Sequence, residues 1–153
     1  MTTQYILKNK NGTFYYKDRE MTILHREDGP AAEWKNGSKY WYLDGTYHRV
    51  DGPAVEMYGG SKYWYLHGKF HREDGPAIEY ANGDKYWHLH GKLHREDGPA
   101  VEYAYGSKLW YLNGNLYREE EHEKLTKKEP TISIEGKAFT VAQLKALIEK
   151  ATI

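Results

Sequence analysis

Hydrophobic and polar residues repeat along this chain with a period of 23 residues, from His25 to Leu116. The first cassette reads HREDGPAAEWKNGSKYWYLDGTY, and three further copies begin at His48, His71 and His94. Each copy contains short runs in which polar residues alternate with apolar or aromatic ones, as is typical of half-buried strands. A fixed period of this size indicates stacked supersecondary units and not one irregular domain.

Glycine-containing pairs divide each cassette into strands. In the first cassette the pairs are Asn36-Gly37 and Asp44-Gly45, and both favour two-residue hairpin turns that need positive φ. A third break, Asp28-Gly29-Pro30, contains a proline that cannot donate a hydrogen bond to a sheet, so the chain bends there. The pattern predicts an antiparallel meander with about two main strands per cassette.

The first turn determines the register, and the register determines the face on which each side chain lies. A two-residue turn at Asn36-Gly37 pairs Trp34 with Lys39, Glu33 with Tyr40, and Ala32 with Trp41. The predicted apolar face then contains Ala32, Trp34, Trp41, Leu43 and their copies Val55, Met57, Trp64, Leu66, Ile78, Tyr80, Trp87, Leu89, Val101, Tyr103, Trp110 and Leu112. The opposite, hydroxylated face contains Glu33, Tyr40, Tyr42, Tyr63 and Tyr65.

The pattern divides the chain into four parts. Residues 1–24 form a degenerate N-terminal cap hairpin that turns at Asn11-Gly12, and residues 25–116 are the four repeats. Residues 117–130 are a charged connector in which part of the chain could be helical, and residues 131–153 are a C-terminal hairpin followed by a helix. The predicted fold class is mainly β: an elongated antiparallel meander of repeats with a C-terminal β-hairpin and α-helix.

The C-terminal helix is predicted to begin after Thr140, because Thr140 and Gln143 form a capping-box pattern. Its apolar side chains recur at helical spacing on one side, and they are Val141, Leu144, Leu147, Ile148 and Ala151. A unit of this size buries too little surface to fold alone. We therefore expect this stripe to dock on the repeat sheet or on another molecule.

Composition limits the classes of function. The chain has 22 basic and 22 acidic residues, so its formal net charge of zero argues against a strong electrostatic grip on nucleic acid or an anionic membrane. It has no cysteine, which excludes disulfides and thiolate metal sites. We identify no signal peptide in MTTQYILKNKNG and no run of the roughly 20 apolar residues that span a bilayer. These features predict a cytoplasmic protein.

The run from Tyr40 to Tyr63, YWYLDGTYHRVDGPAVEMYGGSKY, places an aromatic strand before a glycine, a polar stretch, a second glycine, a strand and a third glycine. This arrangement resembles a variant of the MORN repeat, in which Pro30 and Ala31 stand where the usual pattern tends to carry a second glycine. Tandem HREDGPA cassettes also resemble repeat proteins of bacteriophages and giant viruses. The resemblance implies an elongated antiparallel sheet that acts as a protein-interaction or membrane-associated scaffold.

Histidine, arginine and aspartate recur together in the cassettes, which raises the question of a metal or catalytic site. Equivalent residues of successive two-stranded cassettes are about 10 Å apart, whereas a metal needs ligands within about 2.0–2.6 Å. The four cassette histidines therefore cannot bind one ion. We interpret the histidine, arginine and aspartate as side chains that stabilise the glycine-proline bend, and we predict no catalytic residue, metal or cofactor.

The tryptophans of the four cassettes are interpreted as core, and the tyrosine face as the exposed surface. A sheet of eight to ten strands is about 40–48 Å wide, whereas a helix of about 12 residues is only about 18 Å long. The helix cannot cover the tryptophan face, so we expect sheet curling, a second copy of the chain or a foreign protein to cover it.

The predicted function is a non-enzymatic protein-interaction module. Given the viral resemblance, it would be a phage accessory protein in the host cytoplasm that binds and inhibits a host component, such as a defence system. The alternative is a ligand-binding module for nucleic acid, nucleotide, glycan or lipid headgroup, and a homodimer through the apolar sheet face or the C-terminal helix is also open. The candidate partner-binding residues are Tyr40, Tyr42, Tyr63, Tyr65, Tyr86, Tyr111, Arg49, Arg72, Arg95, Leu144, Leu147 and Ile148.

Overall fold

A computed structural model describes residues 4–127 and 131–151 of the chain. Residues 1–3 of the predicted cap, 128–130 of the predicted connector and 152–153 of the predicted terminal unit lie outside the described residues. The chain forms two compact units, Met1–His122 and Glu123–Ile153.

The first unit contains an antiparallel meander sheet of eleven strands, which confirms the predicted mainly-β class. In spatial order these strands are β1 (Tyr5–Asn9), β2 (Gly12–Tyr16), β3 (Ala32–Trp34), β4 (Lys39–Tyr40), β7 (Val55–Glu56), β8 (Lys62–Tyr63), β11 (Ile78–Glu79), β12 (Lys85–Tyr86), β15 (Val101–Glu102), β16 (Lys108–Leu112) and β17 (Asn115–Tyr117). Three cassettes each add a two-stranded hairpin, formed by β5 (Tyr42–Leu43) with β6 (Thr46–Tyr47), β9 (Tyr65–Leu66) with β10 (Lys69–Phe70), and β13 (His88–Leu89) with β14 (Lys92–Leu93).

The first turn of the cassette has three residues, and the predicted two-residue turn was wrong. Ala32 pairs with Tyr40, and Glu33 pairs with Lys39. The Trp34 N–H donates to the Ser38 carbonyl at 2.9 Å, so residues 35–37 form the loop and only Gly37 has a positive φ, of 92°. Three-residue hairpin loops of this kind place a glycine in the left-handed region after a tighter turn. The predicted register is therefore displaced by one residue.

The second turn has the predicted two-residue form. Tyr42 pairs with Tyr47 and Leu43 with Thr46, so Asp44 and Gly45 alone make the turn. Both have positive φ, of 52° and 76°. The non-glycine residues at the first turn position of the other copies are also left-handed, and they are His67, His90 and Asn113.

The displaced register moves the tyrosines to the other face of the sheet. Tyr40 lies opposite both Ala32 and Val55, and the same pairing places Tyr63 and Tyr86 beside Ile78. We call this side the aromatic face. On it Val55, Ile78 and Val101 are 1–7% exposed, so the core lies under the tyrosine rings.

The opposite side, which we call the groove face, carries alternating charges along the sheet. Lysines of the sheet lie directly between two glutamates: Lys39 is opposite Glu33 and Glu56, and Lys62 is opposite Glu56 and Glu79. Opposite charges at directly paired positions stabilise an antiparallel sheet. The ladder continues through Lys85, Glu102 and Lys108.

The two ends of the repeats are closed differently. At the N-terminal end β1 pairs with β2 around residues 10–11, one position earlier than the predicted Asn11-Gly12 turn, and Phe14 pairs with Ala32. After β17, the predicted connector contains helix α1 (Glu119–Thr126). His122 on α1 is 2% exposed, and its Nε2 lies 2.6 Å from the carbonyl oxygen of Arg95.

The second unit has the predicted hairpin and helix. Strand β18 (Thr131–Ile134) pairs with β19 (Lys137–Thr140), and helix α2 (Val141–Ala151) follows directly. The predicted capping box is present, because the Gln143 N–H donates to Thr140 Oγ1 at 3.1 Å and the Thr140 N–H donates to Gln143 Oε1 at 2.8 Å.

Candidate functional site

In each of the last three cassettes, a loop leaves and re-enters the sheet beside one tryptophan. The His48 N–H donates to the Trp41 carbonyl at 3.1 Å, and the Trp41 N–H donates to the Ala54 carbonyl at 2.8 Å. Residues 48–54 therefore project from the sheet at Trp41. The same two hydrogen bonds recur at Trp64 and Trp87, so each cassette presents its HRxDG loop in the same way.

One arginine holds each loop in shape. Arg72 Nε donates to Asp74 Oδ1 at 2.8 Å, and its Nη1 donates to the Pro76 carbonyl at 3.3 Å and to Glu79 Oε1 at 3.0 Å. The guanidinium carbon lies 4.1 Å from the centre of the Trp64 ring. The arginine therefore joins the loop to the strand and to the preceding cassette. This confirms the interpretation that arginine and aspartate stabilise the bend.

Equivalent stacks occur in the other cassettes, where Arg49 lies over Trp41 and Arg95 over Trp87, both at 4.1 Å, and Arg26 lies over Tyr15 at 4.0 Å. The expectation that sheet curling, a second copy of the chain or a foreign protein must cover the tryptophans was wrong for these rings. The neighbouring cassette covers them, through a cation–π contact that sequence periodicity does not reveal.

The cassette histidines stabilise the second turn and not the glycine-proline bend. Nδ1 of His48 accepts the backbone N–H of His67 at 3.2 Å, and His71 and His94 accept the N–H groups of His90 and Asn113 in the same way. These ring nitrogens must be unprotonated to accept. Each histidine thus satisfies the donor of a residue held at positive φ.

Three equivalent grooves lie between successive loops on the groove face. Their volumes are about 720, 760 and 650 Å³. The first is lined by Trp41 and Leu43 together with the loops 26–30 and 48–51. The rims carry exposed carboxylates, since the side chains of Asp28, Asp51, Asp74 and Asp97 are 82–85% exposed.

The candidate tyrosines lie on the aromatic face, away from these grooves. Tyr42, Tyr47 and Tyr65 stack in sequence, with ring centres 4.4 and 5.0 Å apart, and Tyr65 continues onto Phe70 at 4.2 Å. Burial raises the pKa of Tyr65 to about 12 and raises that of Tyr42 further.

The remaining tyrosine candidates are also half-buried, and they are Tyr40, Tyr63, Tyr86 and Tyr111. Burial raises the pKa of Tyr86 to about 12. These rings pack on the core, so the expectation that they form the exposed recognition surface is met only in part.

The other predicted partner-binding residues fall into two groups. The candidate arginines Arg49, Arg72 and Arg95 line the grooves, with side chains 21–22% exposed. In the second unit Leu147 is 51% and Ile148 65% exposed on α2, while Leu144 is half-buried. The two groups lie in different units of the chain.

His88 interrupts the row of tyrosines on the aromatic face, and its burial predicts that stability depends on pH. It stands where the other cassettes carry Tyr42, Tyr65 and Tyr111, and its buried Nδ1 has no hydrogen-bond partner. Burial lowers the pKa of His88 and also that of His48, so the folded state binds these protons less readily than the unfolded chain. The contribution of these two histidines to the free energy of unfolding is therefore complete above a pH of about 6.5. It is lost as the pH falls from there through their lowered pKa values.

We expect His88→Tyr to raise the free energy of unfolding by about 1 kcal/mol at pH 7, because it removes an unsatisfied buried nitrogen, and by more at pH 5. Urea unfolding at pH 5, 6, 7 and 8 measures both effects. The reverse change, Tyr65→His, is the matched control and should add acid sensitivity. Identical pH profiles for the native chain and His88→Tyr would contradict the assignment.

Within residues 4–127 and 131–151, no group of three or more histidine, aspartate or glutamate side chains is arranged to hold a metal ion. Over the same part of the chain, no helix combines the length and the apolar character needed to cross a membrane.

Sequence reasoning missed the row of carboxylates on the groove rims. Its members are the aspartates of the four cassettes with Glu27, Glu73 and Glu96, which are 62–82% exposed. The signal was present, since Asp-Gly-Pro recurs in every copy, but it was interpreted only as a bend.

The chain matches no protein-family model, no curated protein and no solved structure at a significant level.

Proposed function

We propose that this chain is a non-enzymatic protein-interaction module that presents its groove face to a partner protein. The observation that supports this most strongly is the threefold repetition of one groove, with the same residue types at every lining position except that of Val50. A reaction centre needs one privileged constellation of groups, whereas a repeated groove provides a long surface with equivalent contacts. In addition, each loop arginine already binds two carboxylates of its own cassette, as Arg49 binds Asp51 and Glu56.

The stacked arginines disfavour the ligand-binding alternative. A base or a sugar would need a free aromatic surface on which to stack. In three cassettes one side of the tryptophan ring is already occupied by a guanidinium group, as for Arg72 on Trp64. A polypeptide, which can use the rim carboxylates and the groove floor, fits this surface better.

The biological setting proposed from the viral resemblance is the cytoplasm of a host cell. There the chain would act as a phage accessory protein that binds and inhibits a host component, such as part of a defence system. The resemblance of the HREDGPA cassettes is the support for this part of the proposal.

Affinity capture followed by reconstitution tests the function. We expect the immobilised chain to retain one host protein from lysates of several candidate bacteria, and the purified protein to form a stoichiometric complex with it in size-exclusion chromatography. The control bait is the chain with Asp84→Ser. The other three cassettes carry serine at the equivalent position, as Ser38, Ser61 and Ser107. Failure to reconstitute a complex from any lysate would refute the proposal.

A further inference from the structure

We propose that the three grooves together receive an extended basic segment of the partner polypeptide, with one lysine or arginine side chain per cassette. This inference rests on the proposed protein-interaction function and specifies the chemistry of the partner. It starts from the unequal exposure of opposite charges on the groove face.

The loops present negative charge to solvent and cover their positive charge. The arginine side chains are 20–22% exposed, whereas the aspartates that they bind are 82–85% exposed. Each arginine is also shared with a strand glutamate, as Arg95 is shared between Asp97 and Glu102. The third groove is lined by four carboxylates, Glu73, Asp74, Glu96 and Asp97, against two arginines.

The lysines of the strand ladder do not reverse this balance. None of Lys39, Lys62 and Lys85 lines a groove, and each lies directly opposite a glutamate on both sides. The formal charge of the whole chain is zero, but its distribution is uneven. An acidic rim attracts cationic partners and repels phosphate, so a nucleic acid is a poor occupant.

The groove floor suits the aliphatic part of a basic side chain. Trp41 and Leu43 form the floor of the first groove, and Trp64 with Leu66 and Trp87 with Leu89 form those of the next two. Lysine and arginine bury their methylene stems on apolar surface and keep the charged end in water. Here the charged end would meet the carboxylates of the rim. A short acidic side chain could use neither feature.

The spacing of the grooves fits an extended segment. Two strands per cassette place successive grooves about 10 Å apart, and three residues of an extended or polyproline II chain cover about 9–10 Å. A basic residue at every third position therefore matches the period of the array. A helix rises about 1.5 Å per residue and would need a basic residue at about every seventh position to cover the same distance, so the every-third spacing is specific to an extended segment.

Two synthetic peptides test the spacing directly. The first, KPAKPAKPAKPA, carries lysine at every third position, and the second, KKPPAAKKPPAA, has the same composition in a different order. We expect the first to bind the full chain at least about tenfold more tightly in fluorescence anisotropy, because only its spacing allows simultaneous engagement of the grooves. Its affinity should fall with added salt. Equal affinities, or no binding of the first peptide, would overturn the proposal.

The chain itself offers matched variants on the rim. The second cassette carries Val50, 84% exposed, where the others carry Glu27, Glu73 and Glu96, so the fold accepts either residue. We expect Val50→Glu to tighten binding of the evenly spaced peptide about threefold and Glu73→Val to weaken it about threefold. A change of this size in affinity corresponds to the free energy of one exposed charge pair. Asp84→Ser removes a charge outside the grooves and should leave the affinity unchanged.

The results separate this inference from the function on which it rests. If Glu73→Val reduces retention of the captured host protein while Asp84→Ser does not, the grooves are the docking site. If both variants retain that protein equally and neither peptide binds, the groove proposal is wrong while the interaction function stands. Equal weakening by Glu73→Val and Asp84→Ser would show only a dependence on net charge, and would also refute the groove proposal.

Discussion

Replacement of Arg72 by alanine is expected to lower the free energy of unfolding by about 3 kcal/mol, through the loss of charge-assisted hydrogen bonds and a cation–π contact. The variant loses bonds to Asp74, to the Pro76 carbonyl and to Glu79, and it uncovers the Trp64 ring. Most of the effect should come from Glu79, whose side chain is 35% exposed, because Asp74 at 85% exposure is well solvated without a partner.

Urea unfolding at pH 7 measures this loss. Arg72→Lys is expected to recover little of it, because an ammonium group cannot bind two carboxylates and stack on a ring at the same time. Arg19→Ala, at an exposed arginine outside the repeats, is the control and should change stability by less than about 0.5 kcal/mol. A loss as small as that of the control would refute the role assigned to Arg72.

The arginine also depresses the pKa of Asp74, which binds it through Nε. A carboxyl group with a lowered pKa stabilises the fold above the pKa of the unfolded chain and ceases to do so as the pH falls through the lowered value. The stability difference between the native chain and Arg72→Ala should therefore shrink in acid, and the pKa of Asp74, followed by NMR, should rise in the variant.

Ile78→Ala is expected to cost about 3 kcal/mol, because it opens a cavity at a position that is 7% exposed. Ile78 lies between Tyr63 and Tyr86 on the aromatic face. Alanine does occur at the equivalent position of the first cassette, but there Ala32 pairs with Phe14 of the N-terminal hairpin. In the third cassette Tyr63 takes the place of Phe14 and already lies beside Ile78, so nothing new would fill the space left by the isoleucine side chain.

Ile78→Val is the matched variant, because Val55 and Val101 occupy the same position in two other cassettes. It should cost no more than about 1 kcal/mol. Val50→Ala, at an exposed position, should have almost no effect. If Ile78→Ala proved as mild as Ile78→Val in urea unfolding, the aromatic face would not be the packed side of the sheet.

Local sequence signals predicted local structure well. The Asp44-Gly45 turn, the strands of the C-terminal hairpin and the Thr140–Gln143 capping box are all present. Each depends on residues close together in the chain, so composition and spacing suffice to recognise it.

The exchange of the two faces could not be predicted, because it depends on one residue of loop length. Asn36-Gly37 is compatible with a two-residue turn and with a three-residue loop that ends at Gly37. With a two-residue turn Trp41 lies on the same face as Ala32, whereas with a three-residue loop Tyr40 does. The same exchange occurs in every copy of the cassette. The stacking of Arg49 on Trp41 joins different cassettes, so no local pattern indicates it.

The near-identity of the cassettes has a consequence for how the chain reaches its native topology. Bonds between cassettes join residues about twenty positions apart, as Tyr58 N–H to Ser38 Oγ and Ala81 N–H to Ser61 Oγ. A strand could in principle satisfy the same groups on a non-adjacent copy. Shorter loop closure favours the adjacent copy, so chain connectivity, and not side-chain identity, selects the partner. The contacts at the two ends of the array are unique, such as Phe14 paired with Ala32 and His122 at the Arg95 carbonyl, so they would favour the topology that includes every copy.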